Sequence, residues 1–376
     1  MTKALYAFSG DPITYGHINV VEEAAELFEH VTVAIGVNPD KKYLFTLEER
    51  TDMATHSLEH IPNVTVTSFQ GLLVDYACKR GINVIVKGIR DSADFEYELK
   101  LYRAGKRINP EVKTVLLFAK STQTHVSSSM AKAILKEQGF VQEYVPLYVK
   151  QRLEEKMLGQ YIVGITGEIG CGKSYVAQKL VTLGNQRGIQ IHNIEVDDIG
   201  HAILSSTPTD DYEDIRKKIA AMFPGTVLLD GSINRKALGE IVFDSPAERE
   251  KLDRIMYQPL QTGMSDELRN KKGIILLNAA LLAESQLTSL CNNNVILVCA
   301  DKASQLRRMK ERGLTDEQIR RRLESQYDSA KKKSCIDEAI AQHGHGTLWT
   351  LENNDGSAEA DKIALFEKIL YDLKVK

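Results

Sequence analysis

The sequence predicts an α/β fold built as two successive parallel sheets. Short apolar, β-branched runs alternate with helical patterns from residue 4 onward, and the alternation restarts near residue 161. Each block also carries its own signature turn between a strand and a helix. In the first block, Ala4–Phe8 reads as a strand and Val20–His30 as a helix by its apolar spacing. Val31–Val37 is a β-branched buried strand. Thr46–His60 is helical, with Thr46 as N-cap and Glu49 three residues on, a capping-box pattern. Val64–Thr67, Val84–Lys87 and Thr114–Phe118 are further strands, separated by helices at Leu72–Arg80 and Ala93–Ile108. In the second block, Tyr161–Thr166, Ile189–Glu195, Gly273–Asn278 and Val295–Cys299 are the strands, and a helix starts at Lys173. Leu147–Gly159 lacks the Gly, Ser and Pro content of a flexible linker and reads as a helical connection. The domains are therefore expected at 1–158 and 159–376.

Composition narrows the function class. The 376 residues suggest about two domains. Lys and Arg total 48 and Asp and Glu total 51, giving a formal charge of −3. That balance argues against a dedicated nucleic-acid binder and against a polybasic membrane anchor. The 5 cysteines are odd in number, scattered and without a C-x-x-C pair, so neither a disulfide framework nor a zinc site is expected. A reducing, cytoplasmic setting is the default expectation.

Gly167-Glu168-Ile169-Gly170-Cys171-Gly172-Lys173-Ser174 fits the Walker A pattern. Its glycines let backbone N–H groups cradle phosphate, Lys173 reaches the β- and γ-phosphates, and Ser174 holds Mg²⁺. Asp197, after the strand ending near Glu195, is placed to take a proton from an attacking hydroxyl; the alternative is an N-cap. Asp230 to Leu238 is a turn feeding a helix with a basic residue, such as Arg235, in its first turns. Arg308 and Arg312, four apart, share a helix face and suit a phosphoryl clamp; the alternative is a solvated face. Leu351 to Gly356 reads as a turn after an apolar segment.

In the first block, Asp11-Pro12-Ile13-Thr14-Tyr15-Gly16-His17-Ile18 puts an imidazole at a helix start, where a packed or capping histidine is the other reading. Lys87 and Arg90 stand at a strand end. Ser127, Ser128 and Ser129 open another helix, as an anion site or as ordinary N-caps.

These motifs together carry two resemblances. Residues 1 to about 150 resemble the bacterial phosphopantetheine adenylyltransferases, on Asp11-Pro12-Ile13-Thr14, Gly16-His17, Phe45 to Arg50, Ala93 to Glu98 and Ser127 to Ser129. Tyr161 onward resembles dephospho-CoA kinase, on the P-loop, Glu195-Val196-Asp197, Asp230 to Leu238 and the arginine-bearing segment. The resemblances imply a Rossmann-like nucleotidyltransferase sheet followed by a P-loop kinase sheet with a lid and an acceptor subdomain. They imply that His17 stabilises charge at the α-phosphate of ATP while Ser9 and Lys41 hold the reacting phosphates. Leu73 and Lys87 would contact 4′-phosphopantetheine; Gly16, Arg90, Glu98 and Ser127 to Ser129 would contact ATP. In the kinase, Gly167, Gly170, Gly172, Lys173, Ser174 and Asn353 would bind ATP. Asp197 would be the base, Arg235 would touch dephospho-CoA, and Arg308 and Arg312 would belong to the lid. Expected partners are ATP, 4′-phosphopantetheine, dephospho-CoA, CoA and a second copy of the chain through the N-terminal domain, with Mg²⁺ as cofactor. The alternative is an active kinase joined to a degenerate ligand-binding or assembly module.

Four departures stand out. Where the adenylyltransferases read G-[ST]-F-D-P, this chain reads Phe8-Ser9-Gly10-Asp11-Pro12, the glycine and the aromatic having changed places around the hydroxyl residue. Lys87 stands where arginine is typical. In the kinase half, Gln258-Pro259 replaces His-Pro, and Ala280-Leu281-Leu282 replaces Pro-Leu-Leu.

Overall fold

The computed structural model describes residues 2–120, 125–206, 211–243, 245–324 and 326–375. They form two compact units, Met1–Glu137 with Val141–Lys156, and Gln138–Phe140 with Met157–Lys376.

The first unit runs β1 (Lys3–Phe8), α1 (Tyr15–Leu27), β2 (His30–Gly36), α2 (Leu47–Leu58), β3 (Val64–Phe69), α3 (Leu73–Lys79), β4 (Val84–Ile89), α4 (Ser92–Ile108), β5 (Lys113–Phe118), α5 (Ser128–Lys136) and α6 (Leu147–Leu153). A π-helical turn, Glu154–Leu158, continues α6. The sheet order is β3-β2-β1-β4-β5, with every pairing parallel. The order reverses direction at β1 and β4, whose C-terminal ends open the crevice where open α/β sheets bind ligands. β1 and β2 are nearly all apolar because helices cover both faces. The capping box at Thr46 is present, Thr46 Oγ1 accepting from the Glu49 N–H and Glu49 from the Thr46 N–H. The first helix begins at Tyr15, five residues before its apolar periodicity does.

The second unit runs β6 (Gln160–Gly167), α7 (Lys173–Gln186), β7 (Ile191–Glu195), α8 (Val196–Leu204), α9 (Glu213–Met222), α10 (Arg235–Phe243), α11 (Pro246–Leu268), β8 (Gly273–Asn278), β9 (Asn294–Cys299), α12 (Lys302–Glu311), α13 (Asp316–Glu324), α14 (Ser329–His343), β10 (Thr347–Glu352) and α15 (Glu359–Asp372). Its parallel sheet is ordered β10-β9-β6-β8-β7, with the P-loop strand β6 at the centre. One core lies between the sheet, α7 and α15, around Val163, Leu180, Trp349 and Phe366. A separate cluster of Ile203, Ile219, Phe223, Leu238 and Met256 holds α8 to α11 together as a helical subdomain. Both sheets are α/β and all-parallel, as the alternation of elements requires. The edge strand β10 is a finding beyond the sequence reading, which took its residues as an apolar segment before a turn.

Candidate active sites

The crevice of the first unit is a cavity of about 640 Å³ lined by Phe8, Ser9, His17, Lys41, Lys87, Arg90, Glu98 and Ser127 to Ser129 among others. It gathers every sequence-predicted residue of this half except Leu73, which lines a second, apolar hollow of about 230 Å³ with Leu72, Ile85, Leu101 and Tyr102. Lys87 and Glu98 border both spaces.

His17 sits in the first turn of α1, and its imidazole closes the cap. Nδ1 accepts from the Thr14 backbone N–H at 3.1 Å and lies 2.8 Å from the Thr14 hydroxyl. An accepting Nδ1 makes the neutral ring carry its proton on Nε2. Burial, then the charges of Arg90 and Lys41, push the His17 pKa down to about 3. The histidine therefore caps the helix and faces the cavity at once, so the two sequence readings of it coincide. Its ring lies against Phe8, with centroids 4.3 Å apart and planes 17° from parallel.

Three cations of the cavity, Lys87, Arg90 and Lys132, are paired with carboxylates. Lys87 bridges Glu98 at 2.9 Å, and Arg90 grips Asp94 through Nε at 2.8 Å and a second nitrogen at 3.2 Å. Asp11 is buried and structural: it accepts from the Leu44 and Phe45 N–H groups and bridges Lys132 at 2.7 Å, tying the loop after β2 to α5. Arg50, 1% exposed, donates to the Ser9 and Gly36 carbonyls and stacks on Tyr43. The serine cluster divides its labour. Ser127 is the N-cap of α5, accepting from the Met130 N–H, and Ser128 donates to the Pro12 carbonyl. Asp94, Lys132, Arg50 and Phe8 are site residues that sequence reasoning did not assign. Arg50 and Asp94 lay inside quoted motif segments, which was their only signal.

In the second unit, Gly170 and Gly172 adopt φ of +78° and +90°, the left-handed region that lets the loop curl. Gly172 is the N-cap of α7, so the helix dipole and free N–H groups face the loop interior. Lys173 Nζ donates to the Gly167 carbonyl at 3.3 Å, and Ser174 is exposed beside it. Glu168 Oε1 accepts from the Ser329 N–H at 2.7 Å, fixing the loop to α14. A cavity of about 480 Å³ next to the loop is lined by Gly172, Tyr175, Arg308, Arg312 and Asn353 to Ser357. Asn353 Nδ2 donates to the Cys171 carbonyl at 2.8 Å, so this asparagine holds the loop as well as lining the cavity.

Arg308 and Arg312 both line the cavity beside the P-loop. Arg312 is the C-cap of α12, and its N–H bonds back to the Arg308 carbonyl at 3.3 Å, so helical geometry holds across the four-residue spacing. The Arg308 guanidinium is spent on the Gly170, Cys171 and Asn353 carbonyls and on Asp355. Asp197 is not an N-cap: it lies exposed in the first turn of α8, at the end of β7, which is separated from the P-loop strand by β8. Arg235 opens α10 in the helical subdomain and is exposed. Beneath the loop region, Lys332 and Glu284 form a buried pair at 2.5 Å, and Lys332 also donates to the Ala280 carbonyl at 2.7 Å.

Fold and site together define the class, a nucleotidyltransferase unit followed by a P-loop kinase unit in one bifunctional transferase. The chain belongs to the phosphopantetheine adenylyltransferase family. It is 46% identical over 156 residues to the phosphopantetheine adenylyltransferase of Heliobacterium modesticaldum, covering 42% of this chain and 93% of that protein. Against the enzyme of Dictyoglomus turgidum the identity is 44% over 156 residues, 42% of this chain and 98% of that protein. Residues 9–134 match the Cytidylyltransferase-like family model, and residues 161–346 match that of Dephospho-CoA kinase. Among the described residues, no helix is long and apolar enough to cross a membrane.

Proposed function

We propose that this chain performs two consecutive steps of coenzyme A synthesis, with residues 1–158 making dephospho-CoA and 159–376 phosphorylating it. The observation that carries the first step is the single cavity that brings His17, Ser9, Lys41, Lys87 and Arg90 together. In it the phosphate of 4′-phosphopantetheine attacks the α-phosphorus of ATP, and the bond to the β-phosphate oxygen breaks to release pyrophosphate. No side chain forms a covalent intermediate. The His17 Nε2–H donates to the charge developing at the α-phosphate, Ser9 and Lys41 orient the two substrates, and Lys87 holds the pantetheine phosphate. The apolar hollow beside Lys87, floored by Leu73, suits the pantetheine arm. Gly16, Arg90, Glu98 and Ser127 to Ser129 bind ATP.

In the second step the ribose 3′-hydroxyl of dephospho-CoA attacks the γ-phosphorus, Asp197 accepts its proton, and ADP leaves. Gly167, Gly170, Gly172 and Lys173 cradle the phosphates, Asn353 borders the adenine, Arg235 contacts the coenzyme, and Arg308 and Arg312 flank the phosphates. Among the described residues, no group of three His, Cys, Asp or Glu side chains could hold a metal. The exposed Ser174 hydroxyl, with phosphate oxygens and water, would suit Mg²⁺, which would neutralise charge on the transferred phosphoryl group. The reading includes self-association of the first unit through the exposed apolar residues of α4 (Phe95, Leu101, Ile108), and a reducing cytoplasmic setting, which the free cysteines favour.

The test follows product formation from 4′-phosphopantetheine with ATP and Mg²⁺. The expected result is dephospho-CoA, pyrophosphate and then CoA. Lys173→Ala is expected to stop at dephospho-CoA, and His17→Ala to convert only supplied dephospho-CoA. An unmutated protein that makes no dephospho-CoA from phosphopantetheine overturns the reading.

A further inference from the structure

The exchange of glycine and aromatic around Ser9 has a structural counterpart. Residue 8 closes β1 in ordinary extended backbone, so it needs no glycine. The left-handed conformation falls instead on Gly10, at φ +57°. A Cβ built on Gly10 would lie 3.1 Å from Phe8 Cε2 and 3.5 Å from Ile35 Cδ1. The ring of Phe8 thus uses the space that a side chain at position 10 would fill, and it spends that room lying flat on His17, 4.3 Å away. Phe8 also meets Tyr6, with centroids 5.0 Å apart and planes tilted by 37°.

We propose that Phe8 is a positioning residue for adenylyl transfer: its ring, admitted by Gly10, holds the His17 imidazole in the plane that aims Nε2–H into the cavity. The two Thr14 contacts fix Nδ1 but leave the ring able to tilt about the axis through that nitrogen. A flat aromatic neighbour removes that tilt. The benefit falls on the transition state, because a donor aimed at developing charge gains most when its angle is set in advance. The proposal rests on the adenylyl-transfer reading of this half, and its experiment separates the two.

The full-length protein is assayed for pyrophosphate release with Phe8→Leu and Phe8→Tyr, alongside phosphorylation of supplied dephospho-CoA. Phe8→Leu is expected to lower kcat about tenfold with KM for both substrates changed less than about twofold. Phe8→Tyr, which keeps the ring, is expected to restore kcat to within about threefold of the unmutated value. Unchanged kinase turnover shows that the second unit has folded, and unchanged KM values for adenylyl transfer show that the first has. The imidazole proton resonances of His17 are expected to be sharp in the unmutated protein and in Phe8→Tyr, and to broaden by exchange in Phe8→Leu. A Phe8→Leu variant with unchanged kcat, or one that loses only KM, overturns the proposal. If the unmutated protein releases no pyrophosphate, the adenylyl-transfer reading fails by itself. The resonances then decide the role of Phe8: broadening in Phe8→Leu upholds the positioning, and unchanged linewidths overturn it.

Discussion

Acidification should unfold this protein partly through His17. The folded state holds its pKa near 3, against 6.5 for a free side chain, through burial and then the charges of Arg90 and Lys41. A depressed folded pKa means that the unfolded chain binds the proton first, so stability is lost as pH falls below about 6.5 and stops changing below about 3. At about 1.4 kcal/mol per pH unit, the loss between pH 7 and pH 5 comes to about 2 kcal/mol. Protonation would also place an N–H at Nδ1 opposite the Thr14 N–H, replacing an accepted bond with a donor facing a donor. The assay is urea unfolding at pH 7 and pH 5 for the unmutated protein and for His17→Gln, followed by signals of the first unit. Groups common to both proteins cancel, and the variant should show about 2 kcal/mol less acid sensitivity. A direct imidazole titration should find no His17 midpoint above pH 5 without ligand, and an upward shift when ATP phosphates offset Arg90 and Lys41. A midpoint near 6.5, or equal acid sensitivity of the two proteins, refutes the reasoning.

Other expectations follow from single contacts. Lys332→Met leaves the Glu284 carboxylate buried without its partner and should cost about 3–5 kcal/mol in denaturant unfolding of the kinase unit, whereas the double change with Glu284→Leu should recover most of it. Gly172→Ala sets a Cβ 2.5 Å from Asn353 Nδ2 at a φ of +90°, so the kinase KM for ATP should rise about tenfold or more while pyrophosphate release in the first step is unchanged. Arg50→Met removes the guanidinium that satisfies the Ser9 and Gly36 carbonyls. A drop in thermal midpoint of the first unit, worth about 1–3 kcal/mol, should accompany weaker substrate binding at Ser9.

The sequence showed strand and helix alternation, the P-loop and the motif segments because each is a local pattern. It was silent on the contacts that side chains make once elements pack. Arg90 and Lys87 read as ligands of the substrates, and in the structure without ligand each also pairs with a carboxylate of α4, Arg90 with Asp94 four residues on and Lys87 with the more remote Glu98. Spacing within a helix pointed to Arg308 and Arg312 but says nothing of the Cys171 and Asn353 carbonyls that stand opposite the Arg308 guanidinium. α1 was started late because its cap uses His17 instead of Glu or Gln, outside the usual capping-box signature. β10 was missed because Thr347 to Glu352 is a short edge strand next to a glycine–histidine run. The exchange at Phe8 and Gly10 was visible as a departure, but its compensation depends on a φ angle at Gly10.

The charges explain why the two sites handle phosphate differently. Lys41, Lys42, Lys87, Arg90 and Lys132 line the first cavity against Asp11, Asp40, Asp94 and Glu98, close to neutrality overall. Two anionic substrates entering such a space are held more tightly if paired cations exchange carboxylate partners for phosphate. Lys87 and Arg90 are placed for that exchange, since Glu98 and Asp94 sit on α4, a helix with no buried residue to anchor it. Asp11 is different, because backbone N–H groups of Leu44 and Phe45 already fill its oxygens and keep Lys132 structural. The P-loop needs no such exchange: its donors are backbone N–H groups fixed by glycine geometry, with Arg308 and Asn353 bracing the loop from behind. Ligand binding should therefore reorganise α4 in the first unit and leave the P-loop backbone almost unmoved in the second. Weakening Arg90–Asp94 by Asp94→Asn should accordingly tighten ATP binding to the first site at low salt, because the cation no longer has to leave a charged partner.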